Sequence, residues 1–279
     1  MLSYQKSINL DKIVNLARQK IIKVTTEVEG GHLAGSLSCI DILVALYFKV
    51  LKHKPENPGW EDRDRFILSK GHAAPAYYVV LAMSGYFPEE ELFTLRRIDS
   101  RLQGHPDCKK IPGIEISTGS LGQGFSAAAG MALGYKYDKK DGQIYCLLGD
   151  GECDEGQVWE AAMFASNYGL DNITAVIDRN GYQIDGKTEE VMKLEPFAAK
   201  WESFGWEVIE IDGHDINKVA GTLQSARGRR QVIIAKTVKG NGVSFLANNN
   251  KYHSKPCCLE DCNKAINELC KKIELIQDV

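Results

Sequence analysis

The chain has 279 residues, enough for one large α/β domain or two small ones, and its 34 Lys plus Arg against 37 Asp plus Glu leave a net charge of −3 without long basic or acidic blocks. That balance does not suggest nucleic acid or an anionic membrane as a partner. Residues 1–8 lack the apolar core of a signal peptide, and no stretch is read as approaching the roughly 20 apolar residues of a membrane span, so a cytoplasmic protein is expected, with its eight cysteines as reduced thiols.

Helical periodicity covers Leu10 to Val28, Ser38 to Val50, Pro75 to Met83, Leu121 to Tyr137, Gly156 to Asn167, Pro196 to Phe204 and Asp215 to Ala226. Between these lie Arg65 to Leu68, Ile144 to Leu148, Ile173 to Ile177, Glu207 to Ile211 and Val232 to Ala235. They are short and largely continuous apolar runs, as parallel strands covered on both faces require. Alternating helices and strands with no linker-like run predict a single α/β domain over 1–279, a doubly wound parallel sheet with helices on both faces. Near the C-terminus Cys257, Cys258, Cys262 and Cys270 fall partly on the amphipathic stretch Leu259 to Ile276. They lack the paired Cys-x-x-Cys knuckles of a zinc site, even with His253 upstream. The sequon Asn172-Ile173-Thr174 opens a buried strand and is read as chance.

The strand ending at Leu148 breaks into Gly149-Asp150-Gly151-Glu152-Cys153-Asp154-Glu155-Gly156, after which helical spacing resumes. A strand-to-helix turn of this kind sits at the carboxyl edge of a parallel sheet, where ligands collect and a helix N-terminus offers free N–H groups to an anion. Glycines let the backbone approach phosphates, and Asp150 supplies a hard oxygen for Mg²⁺ or Ca²⁺. Gly-Asp-Gly alone is equally a common turn. The next strand ends the same way, in Asp178-Arg179-Asn180-Gly181-Tyr182, where Asn180 offers an amide oxygen. Two strand-end loops, each with an oxygen ligand and a glycine, decide for a metal-bound diphosphate.

This pairing is similar to the thiamine diphosphate motif, and the chain resembles the N-terminal half of transketolase along nearly all its length. The likeness rests on Gly30-Gly31-His32 with Gly35, Asp62 to His72, Gly104-His105-Pro106, Ser117 to Gly124, the Asp150 motif and Lys236 to Gly242, all in matching order. Two departures stand out: His32-Leu33-Ala34 where the family has His-Pro-Gly, and Gly119-Ser120-Leu121-Gly122 where it has Gly-Pro-Leu-Gly. The resemblance implies the thiamine diphosphate-binding fold, with thiamine diphosphate and Mg²⁺ (or Ca²⁺ or Mn²⁺) as cofactors. It implies Asp150, Asn180 and the Tyr182 carbonyl as metal ligands. His72, His253, Gly119, Leu121, Gly149, Asp150, Gly151 and Asn180 would contact the cofactor, and His32 and His105 a ketose donor; the four histidines and Glu155 form the catalytic set. Glu155 belongs either to a carboxylate network between paired active sites or simply to the first turn of its helix. His53 and His214 receive no role.

The resemblance further implies the small subunit of a split, two-component transketolase, a transferase of two-carbon ketol units between sugar phosphates. It would be active only with a C-terminal subunit carrying the pyrimidine-binding domain, as an α2β2 assembly. The alternatives are a related thiamine-dependent ketol or acyl transferase with a specialised substrate, and a non-catalytic scaffold subunit, against which the intact histidines argue.

Overall fold

A computed structural model describes residues 9–184 and 186–276. Five strands, β1 (Arg65–Leu68), β2 (Ile144–Gly149), β3 (Ile173–Arg179), β6 (Glu207–Asp212) and β7 (Gln231–Lys236), form one parallel sheet in the order β1-β2-β3-β7-β6. A two-stranded hairpin, β4 (Tyr182–Gln183) with β5 (Gly186–Lys187), follows β3. Side chains alternate between two cores, as the period of two in a strand demands. Tyr145, Leu147 and Val176 enter one core, and Ile144, Cys146 and Ile177 the other. On the first face lie α1 (Leu10–Glu27), α2 (Leu33–Ala45), α3 (Ala74–Met83), α8 (Ile216–Ser225) and α9 (Leu259–Glu274). The second face is covered by α4 (Gln123–Tyr137), α5 (Gly156–Asn167) and α7 (Phe197–Ser203); the one-turn α6 (Thr188–Val191) follows the hairpin. The expected doubly wound sheet is therefore present.

Three expectations need correction. The second helix begins at Leu33, not Ser38, and gives way at Leu46–Val50 to a π-helical turn. Every residue of α2 is buried, so no polar face marks where it starts. For the same reason residues 33–50 do come near a membrane span in composition, with a mean hydropathy of 1.7 over 18 residues; 83% of that window lies inside the fold, and it is a core helix. The strand at Glu207 is an edge strand, with Glu207, Glu210 and Asp212 exposed, rather than one covered on both faces. All eight cysteines are free thiols.

Candidate active site

The carboxyl ends of β1, β2, β3 and β7 stand side by side, with Leu68 paired to Leu147, Gly149 to Asp178 and Asp178 to Ala235. Each strand then passes into a loop that delivers polar groups to one edge. Asp150, 1% exposed, opens the turn Gly151–Asp154. Its Oδ1 accepts the Gly151 N–H at 2.9 Å and its Oδ2 the Gly181 N–H at 2.6 Å, which ties the two strand-end loops together. Arg179 reaches Oδ2 only at 3.4 Å, being held by Thr188, Glu189 and Glu195. Burial, and next the charge of Asp178, push the Asp150 carboxyl up to about 6. Asn180 donates from Nδ2 to Asp178 at 3.3 Å and accepts the Tyr182 N–H on Oδ1 at 3.0 Å, which sets the amide's orientation.

Beneath these loops lies a charge cluster that the sequence does not single out. Asp178 is fully buried and accepts from Ser38 Oγ at 2.5 Å, from Thr237 Oγ1, from Asn180 and from the Lys70 ammonium, itself 1% exposed. Burial alone would raise the Asp178 carboxyl; Lys70 reverses that and holds it below the usual carboxylate range. Lys70 also donates to the Gly35 carbonyl at 3.2 Å, joining β1 to the start of α2. A second buried carboxylate, Glu152, accepts from Ser69 Oγ and from the Gly122 and Gly149 N–H groups, both at 2.9 Å. It fastens the glycine-rich entry to α4 against the Asp150 loop. Gly122 lies at φ +82°, where a side chain is strained, and a Cβ on Gly71 would stand 2.9 Å from the Gly119 nitrogen.

His32 caps α2, His72 lies in the turn Gly71–Ala73, and His253 ends the turn Asn250–Tyr252. Their ring centroids are 5.2 Å (His32 to His72), 5.5 Å (His32 to His253) and 6.0 Å (His72 to His253) apart. Burial first, then neighbouring cations, lower all three: His32 to about 4, His253 to about 4 and His72 well below its ordinary range. Near neutral pH they are uncharged imidazoles, each with one donor and one acceptor. His253 Nδ1 is buried without a partner among the described residues. His105 is exposed at the rim, its ring against Gly119, where an added Cβ would lie 3.2 Å from Cγ. Lys239 is buried beside Tyr182 and donates to Asn250 Oδ1 at 2.7 Å; burial and then Lys70 lower its ammonium to about 8.

A diphosphate with a divalent cation fits this donor set. Asp178 has its cation in Lys70, whereas buried Asp150 meets only Arg179, at 3.4 Å and shared with Glu189 and Glu195, and Lys239 meets a neutral amide oxygen. A metal at Asp150, Asn180 and the Tyr182 carbonyl, and an anion towards Lys239 and the Gly151 turn, would complete both. No cluster of three His, Cys, Asp or Glu suited to a metal occurs among the described residues, and the expected set holds one carboxylate only.

The structure thus brings together Asp150, Gly149, Gly151, Asn180 and Tyr182 at one edge, with His32, His72 and His253 in a cluster, and puts Gly119 against His105, while half-buried Leu121 precedes Gly122. Glu155 is not among them; it is exposed at the start of α5 and makes no capping hydrogen bond with its side chain. His214, given no role, joins Asp41 Oδ2 (3.1 Å) to the Val238 N–H (2.8 Å) and so anchors the loop that carries Lys239. His53 stacks on Tyr86 and is hydrogen-bonded to the Tyr86 hydroxyl at 3.0 Å and the Tyr47 carbonyl at 2.8 Å. Lys70 and Lys239 lie within the segments carrying the resemblance, and their lysine-glycine context is the available signal.

Residues 10–273 match the family model for the transketolase, thiamine diphosphate binding domain. A 6-deoxy-6-sulfo-D-fructose transketolase subunit of Clostridium sp. (strain MSTE9) is 44% identical over 271 residues, covering 96% of this chain and 98% of its own. An apulose-4-phosphate transketolase subunit of Phocaeicola vulgatus is 40% identical, covering 93% of each. The transketolase of Homo sapiens is 39% identical over 97% of this chain, which spans 43% of the human protein. Among solved structures, the transketolase of Campylobacter jejuni superposes with a TM-score of 0.90 at 34% identity, covering 94% of this chain and 43% of that one.

Proposed function

As a member of the transketolase thiamine diphosphate-binding domain family, this chain is, we propose, the diphosphate-binding subunit of a two-component transketolase that moves a two-carbon ketol unit between sugar phosphates. The observation that carries the reading is the juxtaposition of two loops, joined through Asp150 and the Gly181 N–H, with three neutral histidines around one opening. End-to-end likeness to two chains named as transketolase subunits supports the two-component form, against 43% coverage of full-length transketolases. A cytoplasmic α2β2 assembly with Mg²⁺ completes the proposal.

Bound thiamine diphosphate supplies the carbanion chemistry. The protein's own residues then do four things. Asp150, Asn180 and the Tyr182 carbonyl would hold the metal, while Lys239, His253 and the Gly151 turn, whose own N–H donates to Asp150 Oδ1, would face the phosphates. Lys70 and Asp178 fix Asn180 from below. His32 and His105 donate to or accept from substrate hydroxyl and carbonyl oxygens, and His32, its pKa lowered by burial, returns a proton readily. The rim excludes water once a partner covers it. Exposed Ile184, Val191 and Met192, next to the Asn180 loop, give that partner an apolar footing.

The test is ketol transfer by the purified chain with thiamine diphosphate, Mg²⁺ and a ketose phosphate, with and without the subunit carrying a pyrimidine-binding domain. Activity is expected only with both, because the carboxylate that activates the aminopyrimidine belongs to the other subunit. Full turnover by this chain alone would overturn the two-component reading. The Leu33-Ala34 and Ser120 departures from the family pattern lie beside His32 and Gly119, and support a specialised sugar over the common ones.

A further inference from the structure

His214 carries none of the roles assigned to cofactor, metal or sugar, yet its ring closes a chain of polar contacts that crosses the fold behind the site. Arg18 on α1 donates from its guanidinium to Asp41 Oδ2 on α2 at 2.6 Å, with the two side chains 7% and 4% exposed. The same Oδ2 meets His214 Nδ1 at 3.1 Å, and His214 Nε2 meets the Val238 N–H at 2.8 Å. An amide N–H can only donate, so Nε2 is the nitrogen without a proton. The ring proton therefore sits on Nδ1 and is donated to Asp41. Both nitrogens are used, in one neutral tautomer, and a buried ion pair selects it.

The backbone that His214 holds is the loop 237–242 beyond β7, whose other contacts all run to the site. Thr237 Oγ1 donates to Asp178, Lys239 Nζ to Asn250 Oδ1 at 2.7 Å, and the Gly240 N–H to the Ala34 carbonyl at 3.0 Å, two residues past His32. Gly240 and Gly242 lie at φ +77° and +99°, so the loop depends on glycine backbone whose freedom must be restrained by contacts. The chain Arg18-Asp41-His214 restrains it at two points. His214 takes the Val238 N–H, and a Cβ on Gly242 would stand 2.5 Å from Arg18 Cδ. Lys239 lies between them.

We propose that His214 is a positioning residue for the reaction, fixing the loop in the shape that presents Lys239 to the diphosphate, with Asp41 and Arg18 selecting the tautomer that can do so. The inference rests on the thiamine diphosphate reading of the site. A ring with its proton on Nε2 would set two donors face to face at Val238 and release the loop; Asp41 removes that alternative by taking the proton on Nδ1. With the loop released, binding of the diphosphate must first order it, so the loss falls on cofactor affinity and not on the steps after binding.

The experiment uses the assembled two-subunit enzyme and the substitutions H214N and H214Q. The asparagine amide stands where Nδ1 stands, keeping Asp41 and abandoning Val238; the glutamine carbonyl reaches the place of Nε2 and keeps an acceptor for Val238. In calorimetric titrations with thiamine diphosphate at fixed Mg²⁺, H214N should bind roughly 2- to 13-fold more weakly than wild type, the range of one neutral hydrogen bond, and H214Q should recover most of the loss. The concentration of cofactor giving half-maximal ketol transfer should rise in H214N alone, and kcat at saturating cofactor should stay at the wild-type value in both. Equal affinity in all three proteins, an equal loss in both variants, or a fall in kcat at unchanged affinity would each make His214 a plain support of the fold and overturn the proposal. Amide exchange of the cofactor-free enzyme reads the loop without any ligand. Exchange over 237–242 should be faster in H214N than in wild type or H214Q, and identical exchange overturns the assignment. If wild type binds no thiamine diphosphate, the functional reading fails, while the exchange still decides whether His214 holds the loop.

Discussion

Removing the Lys70 ammonium tests the buried charge cluster most directly. Lys70→Met keeps the length and apolar character of the side chain but leaves Asp178, fully buried, with only the neutral donors Ser38, Thr237 and Asn180. Breaking one partner of a buried ion pair costs about 3 to 5 kcal/mol, because the remaining charge is uncompensated. For a chain of this size about 1 kcal/mol corresponds to roughly 2 to 4 °C, so the melting temperature should fall by roughly 6 to 20 °C. The pH dependence adds a sign. With Lys70 present, Asp178 is depressed, and its contribution is present above the unfolded value of 3.8 and lost as pH falls through the lower folded value. Without Lys70, burial raises the carboxyl, the folded state then binds the extra proton, and the deficit of the variant shrinks on acidification. Lys70→Met with Asp178→Asn removes the charge itself and should recover part of the loss. The measurement is thermal unfolding of the isolated chain, wild type and both variants, from neutral to mildly acidic pH. A single variant melting with wild type, or a double variant no more stable than the single, refutes the reasoning.

Asp150→Ala should abolish binding of thiamine diphosphate with Mg²⁺ in the assembled enzyme while circular dichroism stays native; undiminished binding by calorimetry would remove Asp150 from the metal. His32→Ala and His105→Ala should each lower ketol transfer with cofactor affinity nearly intact, since both rings are assigned to the sugar rather than to the diphosphate, and equal loss of cofactor binding in both would count against that division of roles. His32 and His253 have folded values of about 4 against 6.5 unfolded, so below 6.5 the unfolded chain binds more protons and stability rises with pH between those limits. Discounted for partial exposure, each is worth roughly 1 to 2 kcal/mol, and His253→Gln should blunt the acid loss seen in melts between pH 4 and 6.5.

Elements with a polar face or a strong boundary are legible from sequence. The strands at Arg65 and Ile144 begin where expected, and α5 runs over the expected residues. Where a helix is buried all round, as α2 is, hydrophobic periodicity has nothing to contrast with, and it points to a start at Ser38, five residues after Leu33, where the helix begins. The hairpin β4–β5 has two-residue strands, too short for any periodic signal. In the site, Asp150 and Asn180 are legible because glycines flank them at strand ends. Asp178 is not, because its role comes from three distant partners, Ser38, Lys70 and Thr237, brought together only by the sheet. Glu155 stands out in the sequence as the first carboxylate of a helix, yet Glu152, three residues earlier, is the one turned inward to hold two backbone N–H groups.

The segment between β7 and α9 carries Lys239 and His253, and little of it is regular structure. Its shape is kept by a helix that touches no proposed ligand. Glu268 on α9 accepts from the Ser244 N–H and hydroxyl, Lys272 donates to the Gly242 carbonyl at 2.7 Å, and Asp261 accepts from the Tyr252 hydroxyl at 3.2 Å, while Gln19 of α1 donates to Cys270 at 3.3 Å. Docking of α9 and the proposed capture of an anion by Lys239 and His253 would therefore be linked equilibria: each would favour the other by the same free energy. Amide exchange in α9 should slow when the site is filled, and fraying of α9 should loosen ligand at a distance, without any change in the residues that hold it.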